Sequence, residues 1–408
     1  MTHTASTVDA MLAEARKRTG FDDFGDDDFL QPLGVLLRSI EDEAHLGTAG
    51  RRSLEERIVG LLANRLRVQH WLQRHPAIGA ERLAAPLVIV GFPRTGTTML
   101  QRLLASDPRS TALLWWESRN PAPFDGWSPA LAASGMDARI VDARKQTAAM
   151  LEANPDLAAV HPFDAEAPDE DAMLLEHSVR STAPAALAHV PTYLHWHNTH
   201  DNSAAYRYLK QMLQFIQWQK RLRGERIGRW VLKAPEHMAH VRHLFEQFPD
   251  ATVIQPHRDP VDIYPSLASM IFQLRRLASN DATAAEAAEY VRASSKHRIA
   301  RLMEARRELP ATRFVDIWYR DAMSDPLGQV EPIYERAGIE LTDDARQHMH
   351  DWLRANHREQ RPTHEYRLDQ FGFDADRIRE ELAEYLQTFV IPLSRGSIGT
   401  THHDRRTP

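Results

Sequence analysis

The sequence of 408 residues contains no cysteine, which excludes disulfides and thiolate chemistry. It has no apolar run approaching the ~20 residues of a membrane-spanning helix, so we expect no membrane span. Its first residues lack the basic-then-apolar pattern of a signal peptide. The formal net charge of −6 gives no reason to expect nucleic acid or an anionic membrane as a partner. We therefore expect a cytoplasmic protein that buries a large core.

A further absence concerns a glycine-rich segment, Gly91-Phe-Pro-Arg-Thr-Gly96-Thr-Thr98. Its two glycines and Thr98 are spaced as in the nucleotide-binding P-loop, G-x-x-x-x-G-K-[ST]. The lysine of that motif is missing, because Thr97 stands in its position and Arg94 supplies a cation three residues earlier. A loop that keeps the glycines without the lysine predicts a phosphorylated donor other than ATP or GTP.

The residues around this loop predict a strand, a turn and a helix. Leu87–Val90 is a short apolar run typical of a buried strand, and helical spacing runs from Met99 to Ala105. Such a turn directs backbone N–H groups at an anion, with help from the helix dipole. The backbone groups expected to do this belong to Thr95, Gly96, Thr97, Thr98 and Met99. The simpler alternative is an ordinary strand-to-helix turn.

A second segment has the same strand-to-helix character. Ala251–His257 predicts a buried strand, and Arg258 follows at its carboxyl end, where open α/β sheets bind ligands. Asp259 is a good helix N-cap, and Ser266 lies about two helical turns further on. Arg258 and Ser266 could together hold a second phosphate group. The alternative is a helix cap beside a solvated arginine.

These segments resemble the sulfotransferases that use 3′-phosphoadenosine 5′-phosphosulfate (PAPS). Gly91–Thr98 resembles their 5′-phosphosulfate-binding loop, and Arg258 with Ser266 resembles their 3′-phosphate site. Three further segments match the bacterial-type family in order along the chain: Trp230–His237, Phe314–Tyr319 with Asp325-Pro326, and Tyr366 with Phe371-Gly372. The resemblance covers roughly residues 55–390.

The resemblance implies PAPS as co-substrate, and sulfuryl transfer in line to a hydroxyl or amine. A sulfuryl group carries less negative charge than a phosphoryl group, so protein cations can suffice without magnesium and no metal is expected. Arg94 and Lys233 are then electrostatic catalytic groups. By family analogy, Arg361 and Tyr366 close over the nucleotide.

The general base is left open between three residues. Lys233 matches the lysine of the Lys-[ST]-His segment of cytosolic sulfotransferases, but Pro235 stands where their catalytic histidine does. His237 matches the histidine of the bacterial-type segment. The segment that begins at His161 resembles the family's "HP…PEE" segment, and Glu170 falls on its second glutamate. The candidates are therefore Glu170, His237 and His161.

The pattern of strands and helices predicts an α/β fold. Strands near 87–90, 111–116, 229–233, 251–256 and 313–318 alternate with helices, among them 51–74, 169–190 and 204–223. We expect a P-loop-like three-layer fold with a parallel central sheet flanked by helices, plus N-terminal and inserted helical segments. The expected division is a helical segment 1–84 packing on the core, an α/β domain 85–392 and a disordered tail 393–408.

Two other functions remain open from the sequence. A P-loop kinase or nucleotide hydrolase would need a magnesium-binding strand, and Arg313-Phe-Val-Asp316 is a weak match. The other alternative is a non-catalytic nucleotide- or sulfate-binding module. The acceptor, a small molecule, lipid or carbohydrate, cannot be chosen from sequence, and neither can the oligomeric state.

One histidine-rich segment could suggest a metal site. His195-Trp-His197-Asn-Thr-His200 has metal-like spacing, but the sequence offers it no cysteine and no evident carboxylate partner. We therefore predict no metal.

Overall fold

The computed structural model describes residues 7–135, 137–153, 164–356 and 367–399. Five strands form a parallel sheet: β1 (Leu87–Ile89), β2 (Ser110–Ala112), β3 (Arg229–Lys233), β4 (Thr252–His257) and β5 (Phe314–Trp318). Their order across the sheet is β2-β3-β1-β4-β5. The predicted α/β fold with a parallel central sheet is thereby confirmed.

Helices make up most of the rest of the described chain. They are Val8–Thr19, Leu30–Glu43, Thr48–Arg74, Thr97–Ala105, Trp115–Arg119, Pro129–Ala133, Ala138–Ala153, Ala172–Glu176, Ala183–Leu187, Pro191–Thr199, Ser203–Leu222, Val241–Gln247, Pro260–Arg276, Ala284–Glu308, Tyr319–Ser324, Pro326–Arg336, Asp343–Ala355, Ala375–Glu381, Ala383–Tyr385 and Ile391–Gly399. Short 3-10 turns lie at Pro76–Ala80, Pro235–Ala239, Ala311–Arg313 and Leu368–Phe371, and a π-helical turn at Leu386–Val390.

The sheet is the middle of three layers. Side chains alternate between the faces of a strand, and β1 shows the consequence. Val88 joins a core cluster with residues of helices Ser203–Leu222 and Pro260–Arg276. Leu87 and Ile89 join a different cluster, with residues of helices Thr97–Ala105 and Pro326–Arg336. Both faces are therefore covered, as a parallel sheet requires.

Two predicted elements differ from the structure. The strand predicted for 111–116 ends at Ala112, and a helix begins at Trp115. The helix begins there because Glu117 accepts a hydrogen bond from the Leu114 N–H (3.0 Å) and caps it. The helix predicted for 169–190 is split into Ala172–Glu176 and Ala183–Leu187. Between them Val179 has a left-handed φ of 55°, which interrupts helical geometry.

The N-terminal helices share a core with the inserted helical segment around residues 179–193. Leu33 and Leu66 are fully buried in a cluster that also holds Val179, Val190 and Tyr193. The limits 1–84, 85–392 and 393–408 stay a prediction; a helix continues through Ile391–Gly399, past the predicted start of the tail. Among the described residues, no helix has the length and apolar character needed to cross a membrane.

Candidate active site

The glycine-rich loop follows β1 at the carboxyl edge of the sheet. A Cβ at Gly91 would lie 3.2 Å from both the Cδ and the carbonyl oxygen of Pro256, so the loop packs tightly on the end of β4. Gly96 adopts a left-handed φ of 78°, a conformation that favours glycine. Gly96 is also the N-cap of helix Thr97–Ala105, so no side chain caps the first turn of that helix. That geometry suits an anion held by backbone N–H groups.

The threonines of the loop are not equivalent. Thr95 is buried, and its Oγ1 donates a hydrogen bond to the carbonyl of Phe92 (2.6 Å), which fixes the turn. Thr97, in the position of the missing lysine, is also buried. Thr98 is half-buried, and Met99 packs on the apolar cluster beside the sheet. The buried side chains of Thr95 and Thr97 therefore shape the loop rather than supply charge.

Two arginines and a serine from both motifs meet at one end of the loop. The Arg94 Nε donates to the Ser266 Oγ (3.0 Å), and the Arg258 Nη1 donates to the Arg94 carbonyl (2.8 Å). Arg94 has φ 71°, a strained conformation that typically costs about 1–3 kcal/mol. Among the described residues the buried Arg258 Nε has no hydrogen-bond partner, although Asp262 Oδ2 lies 3.8 Å away. This end of the loop therefore concentrates positive charge.

Tyr319, directly after β5, also lies beside the loop and is not among the site residues predicted from sequence. Its ring lies 3.6 Å from where a Gly96 Cβ would stand, and the Arg258 guanidinium carbon lies 4.4 Å from the ring centroid. Tyr319 thus supports both the loop and the arginine. Its position directly after a parallel strand is the signal that could have identified it.

A lysine and a glutamate meet at the other end of the loop. Lys233 ends β3, in register with Ile89 of β1. Its Nζ lies 2.5 Å from Glu170 Oε1 and 3.4 Å from Thr98 Oγ1. The Lys233 side chain is 1% exposed and that of Glu170 is 26% exposed. An ammonium group from β3 therefore stands beside the loop whose own sequence lacks a lysine.

His237 lies in a buried chain of hydrogen bonds behind this pair. Its Nε2 is 2.7 Å from Asp171 Oδ2 and its Nδ1 is 2.9 Å from the Tyr206 hydroxyl. Asp171 also accepts the backbone N–H of Lys233 (2.7 Å). Both ring nitrogens of His237 are occupied, and its side chain is fully buried. His237 and Asp171 therefore hold β3 against the segment that contains Glu170, here called the glutamate segment.

Comparison with known proteins agrees with this geometry. A family described as the sulfotransferase family matches residues 86–344. The chain belongs to the sulfotransferase family. Two solved structures resemble this family member over nearly their whole length: sulfotransferase STF1 from Mycobacterium tuberculosis (31% identity, 93% of this chain and 99% of that one, TM-score 0.81) and sulfotransferase STF9 from Mycobacterium avium (28%, 95% and 98%, TM-score 0.84).

Curated relatives of this sulfotransferase-family protein are more distant. The omega-hydroxy-beta-dihydromenaquinone-9 sulfotransferases of Mycobacterium bovis and Mycobacterium tuberculosis are each 26% identical over 261 residues, or 62% of this chain. The chain spans 63% of the length of these relatives.

Some residues predicted for the site of this family member cannot be placed. His161, Arg361 and Tyr366 lie outside the described residues. Asp171, which the sequence did not single out, joins Lys233 to His237. Pattern alone could not separate it from the neighbouring Asp169 and Glu170, because three acids in a row give no sign of which one points inward.

We expect Asp171→Ala to destabilise this sulfotransferase-family protein by about 2–6 kcal/mol, because two buried donors lose their acceptor at about 1–3 kcal/mol each. Burial raises the pKa of Asp171, but His237 and the backbone N–H groups lower it more, so the folded pKa lies below its ordinary value of 3.8. The stabilisation is therefore complete above that value and is lost as the pH falls through the folded pKa.

Urea unfolding of wild type and Asp171→Ala tests this. The difference in unfolding free energy should be full at pH 7 and shrink below about pH 4. Asp376→Asn, at a 96% exposed side chain, is the control and should match wild type. An Asp171→Ala protein as stable as wild type at pH 7 would show that the buried chain carries no such role.

Proposed function

We propose that the chain transfers a sulfuryl group from PAPS to a hydroxyl group of a lipid acceptor, with Glu170 as general base. The observation that carries this proposal is the pairing of Lys233 with Glu170 beside Thr98, at the end of a loop shaped for an anion. When bound, the donor supplies the sulfuryl group and leaves as adenosine 3′,5′-bisphosphate.

The residues around the loop fit a donor with two anionic ends. At one end, Arg94 contacts both Arg258 and Ser266, and the Arg258 side chain is 24% exposed. Charge-assisted hydrogen bonds from guanidinium groups suit a 3′-phosphate. At the other end, the uncapped helix start and Lys233 suit a 5′-phosphosulfate.

Glu170 suits the role of base better than His237. A base must reach the proton it removes, and the Glu170 side chain is partly exposed beside Lys233. His237 is fully buried, with both nitrogens within 3 Å of protein partners. We therefore propose that Glu170 accepts the acceptor's hydroxyl proton, and that Lys233 and Arg94 stabilise charge on the transferred group and the leaving oxygen.

The carboxylate that a P-loop kinase would need to bind magnesium is engaged by other side chains. Asp316, the candidate for that ligand, lies 2.9 Å from His257 Nε2 and 2.7 Å from Arg306 Nη2. Two basic groups thus occupy the carboxylate, and Thr97 is buried in the lysine position. These contacts favour a donor that does not depend on a P-loop lysine and a strand-borne magnesium ligand.

The acceptor class rests on the curated relatives. Both are named for a hydroxylated dihydromenaquinone, a lipid with a terminal hydroxyl group. We propose the same chemical class here, ahead of carbohydrates and small aromatic alcohols. Purified protein supplied with PAPS should sulfate a long-chain prenyl alcohol in detergent and leave a monosaccharide unmodified; the reverse preference would contradict the lipid assignment.

We expect Arg258→Ala to weaken binding of adenosine 3′,5′-bisphosphate about ten- to a hundredfold, because one charge-assisted contact contributes about 1.5–3 kcal/mol. Isothermal titration calorimetry without magnesium measures this. Arg276→Ala, an exposed arginine at the other end of helix Pro260–Arg276, is the matched control. Equal affinity in wild type and Arg258→Ala would remove Arg258 from the 3′-phosphate site.

Bisphosphate binding by wild type without any sulfuryl transfer would instead favour a non-catalytic nucleotide-binding module.

A further inference from the structure

A second cluster of titratable side chains includes residues of the segment that follows Lys233. His197 comes from helix Pro191–Thr199, Glu236 from the 3-10 turn Pro235–Ala239, and His240 directly follows that turn. One potential ligand atom of each residue lies within 4.8 Å of those of the other two. His297, from helix Ala284–Glu308, lines the same cavity.

We propose that His197, Glu236 and His240 bind one divalent transition-metal ion, with His297 completing the site, and that the ion is zinc. Imidazole nitrogens and a carboxylate oxygen are ligands that zinc prefers, and four of them make a closed tetrahedral site. The sequence predicted no metal because it showed no carboxylate near His197; the fold supplies one from the segment after β3.

The contact between His197 and Glu236 is the strongest observation. His197 Nε2 lies 3.1 Å from Glu236 Oε1, yet this buried nitrogen makes no aligned hydrogen bond within the described residues. Two ligands on one tetrahedral zinc, with bonds of about 2.0–2.1 Å, stand about 3.3 Å apart. A separation of 3.1 Å suits either a hydrogen bond or two ligands of one ion, and the missing hydrogen-bond alignment at His197 Nε2 favours the second. The His240 ligand atom must move closer by side-chain rotation.

The carboxylate of Glu236 is already held in place. Ser181 donates its hydroxyl to Glu236 Oε2 (2.9 Å) and the Thr182 N–H donates to Oε1 (3.0 Å). Ligands of protein metal sites are commonly oriented by such outer hydrogen bonds. Arg298 also lines the cavity, but its guanidinium donates to the Thr182 hydroxyl (3.2 Å).

A metal ion here would join three elements. It would tie helices Pro191–Thr199 and Ala284–Glu308 to the turn that begins two residues after Lys233. Glu236 also directly precedes His237, whose buried contacts hold β3 to the glutamate segment. The ion would therefore be structural, supporting the position of Lys233 without touching the reacting groups.

The test is zinc and cobalt binding by the chelator-treated full-length chain. Wild type should bind about one zinc ion per chain by calorimetry, and cobalt should give the visible absorption typical of tetrahedral coordination. Zinc at 100 times its dissociation constant should raise the Tm by roughly 3 °C. His197→Gln should weaken binding at least about 100-fold, and His297→Gln at least about tenfold.

His195→Gln, at an exposed histidine on the same helix as His197, is the control and should bind zinc like wild type. Circular dichroism identifies a variant that fails to fold. If His197→Gln is such a variant, His297→Gln and the wild-type cobalt spectrum decide. Any one of three results would overturn the site and leave a buried histidine–glutamate pair. These are no zinc binding by wild type below about 10 µM, no tetrahedral cobalt spectrum, and equal zinc binding by wild type and folded His197→Gln.

Discussion

Glu170→Gln should lower the turnover of sulfuryl transfer by about 10²–10⁴-fold, the usual contribution of a general base. The amide keeps the size of the side chain and its contact with Lys233, but it cannot accept the acceptor's proton. Binding of adenosine 3′,5′-bisphosphate should stay within about twofold of wild type, because Glu170 is proposed to act on the acceptor and not on the nucleotide. The separation of turnover from nucleotide affinity is the diagnostic result.

Glu166→Gln is the matched control for this substitution. Glu166 lies four residues earlier in the same segment, is exposed and pairs with Arg144. Its loss should leave turnover unchanged. Steady-state rates and calorimetry on wild type and both variants complete the experiment. Glu170→Gln with wild-type turnover would remove Glu170 as the base and leave the other two candidates, His237 and His161, of which His161 lies outside the described residues.

Lys233→Met should lower turnover by about 10²–10³-fold, comparable to the loss of one preorganised donor aimed at developing charge. Methionine is close to lysine in length, so it fills the buried space at the end of β3 without a charge. The exposed Lys145→Met is the control and should keep full activity. Full turnover in Lys233→Met, measured with PAPS in excess, would show that the ammonium group does not act on the transferred group.

The double variant Glu170→Gln/Lys233→Met tests whether the pair acts as a unit. The two groups are 2.5 Å apart, and contacting residues in one network give non-additive free energies. We expect the double variant to lose less than the product of the two single effects. Strictly multiplicative losses would mean that each residue acts independently.

The sheet and the glycine-rich turn were predictable because they depend on local pattern. Short buried runs such as Val253-Ile254 predict strands. Gly91 leaves no room for a side chain against Pro256, and Gly96 has a positive φ that favours glycine, so both glycines indicate a tight turn. The cap at Asp259 follows the same logic, and its carboxylate accepts the Val261 N–H (2.9 Å). Each of these features is decided within a few neighbouring residues.

Contacts between distant segments were not predictable. The family resemblance places Arg94 at the phosphosulfate end and Ser266 at the 3′-phosphate end, yet the two side chains are hydrogen-bonded across 172 positions. His237 likewise stays a candidate base at the level of sequence, because no pattern reveals that Asp171 and Tyr206 occupy its two nitrogens. Such pairings depend on how helices pack against the sheet, which local propensity does not determine.

The most direct test is the choice of nucleotide by the wild-type protein, measured by calorimetry. Adenosine 3′,5′-bisphosphate is titrated without magnesium, and ATP is titrated with magnesium under otherwise identical conditions. A PAPS-dependent sulfotransferase should bind the bisphosphate at least about tenfold more tightly, a difference of about 1.4 kcal/mol. No binding of the bisphosphate, or a preference for magnesium–ATP, would contradict PAPS as the donor.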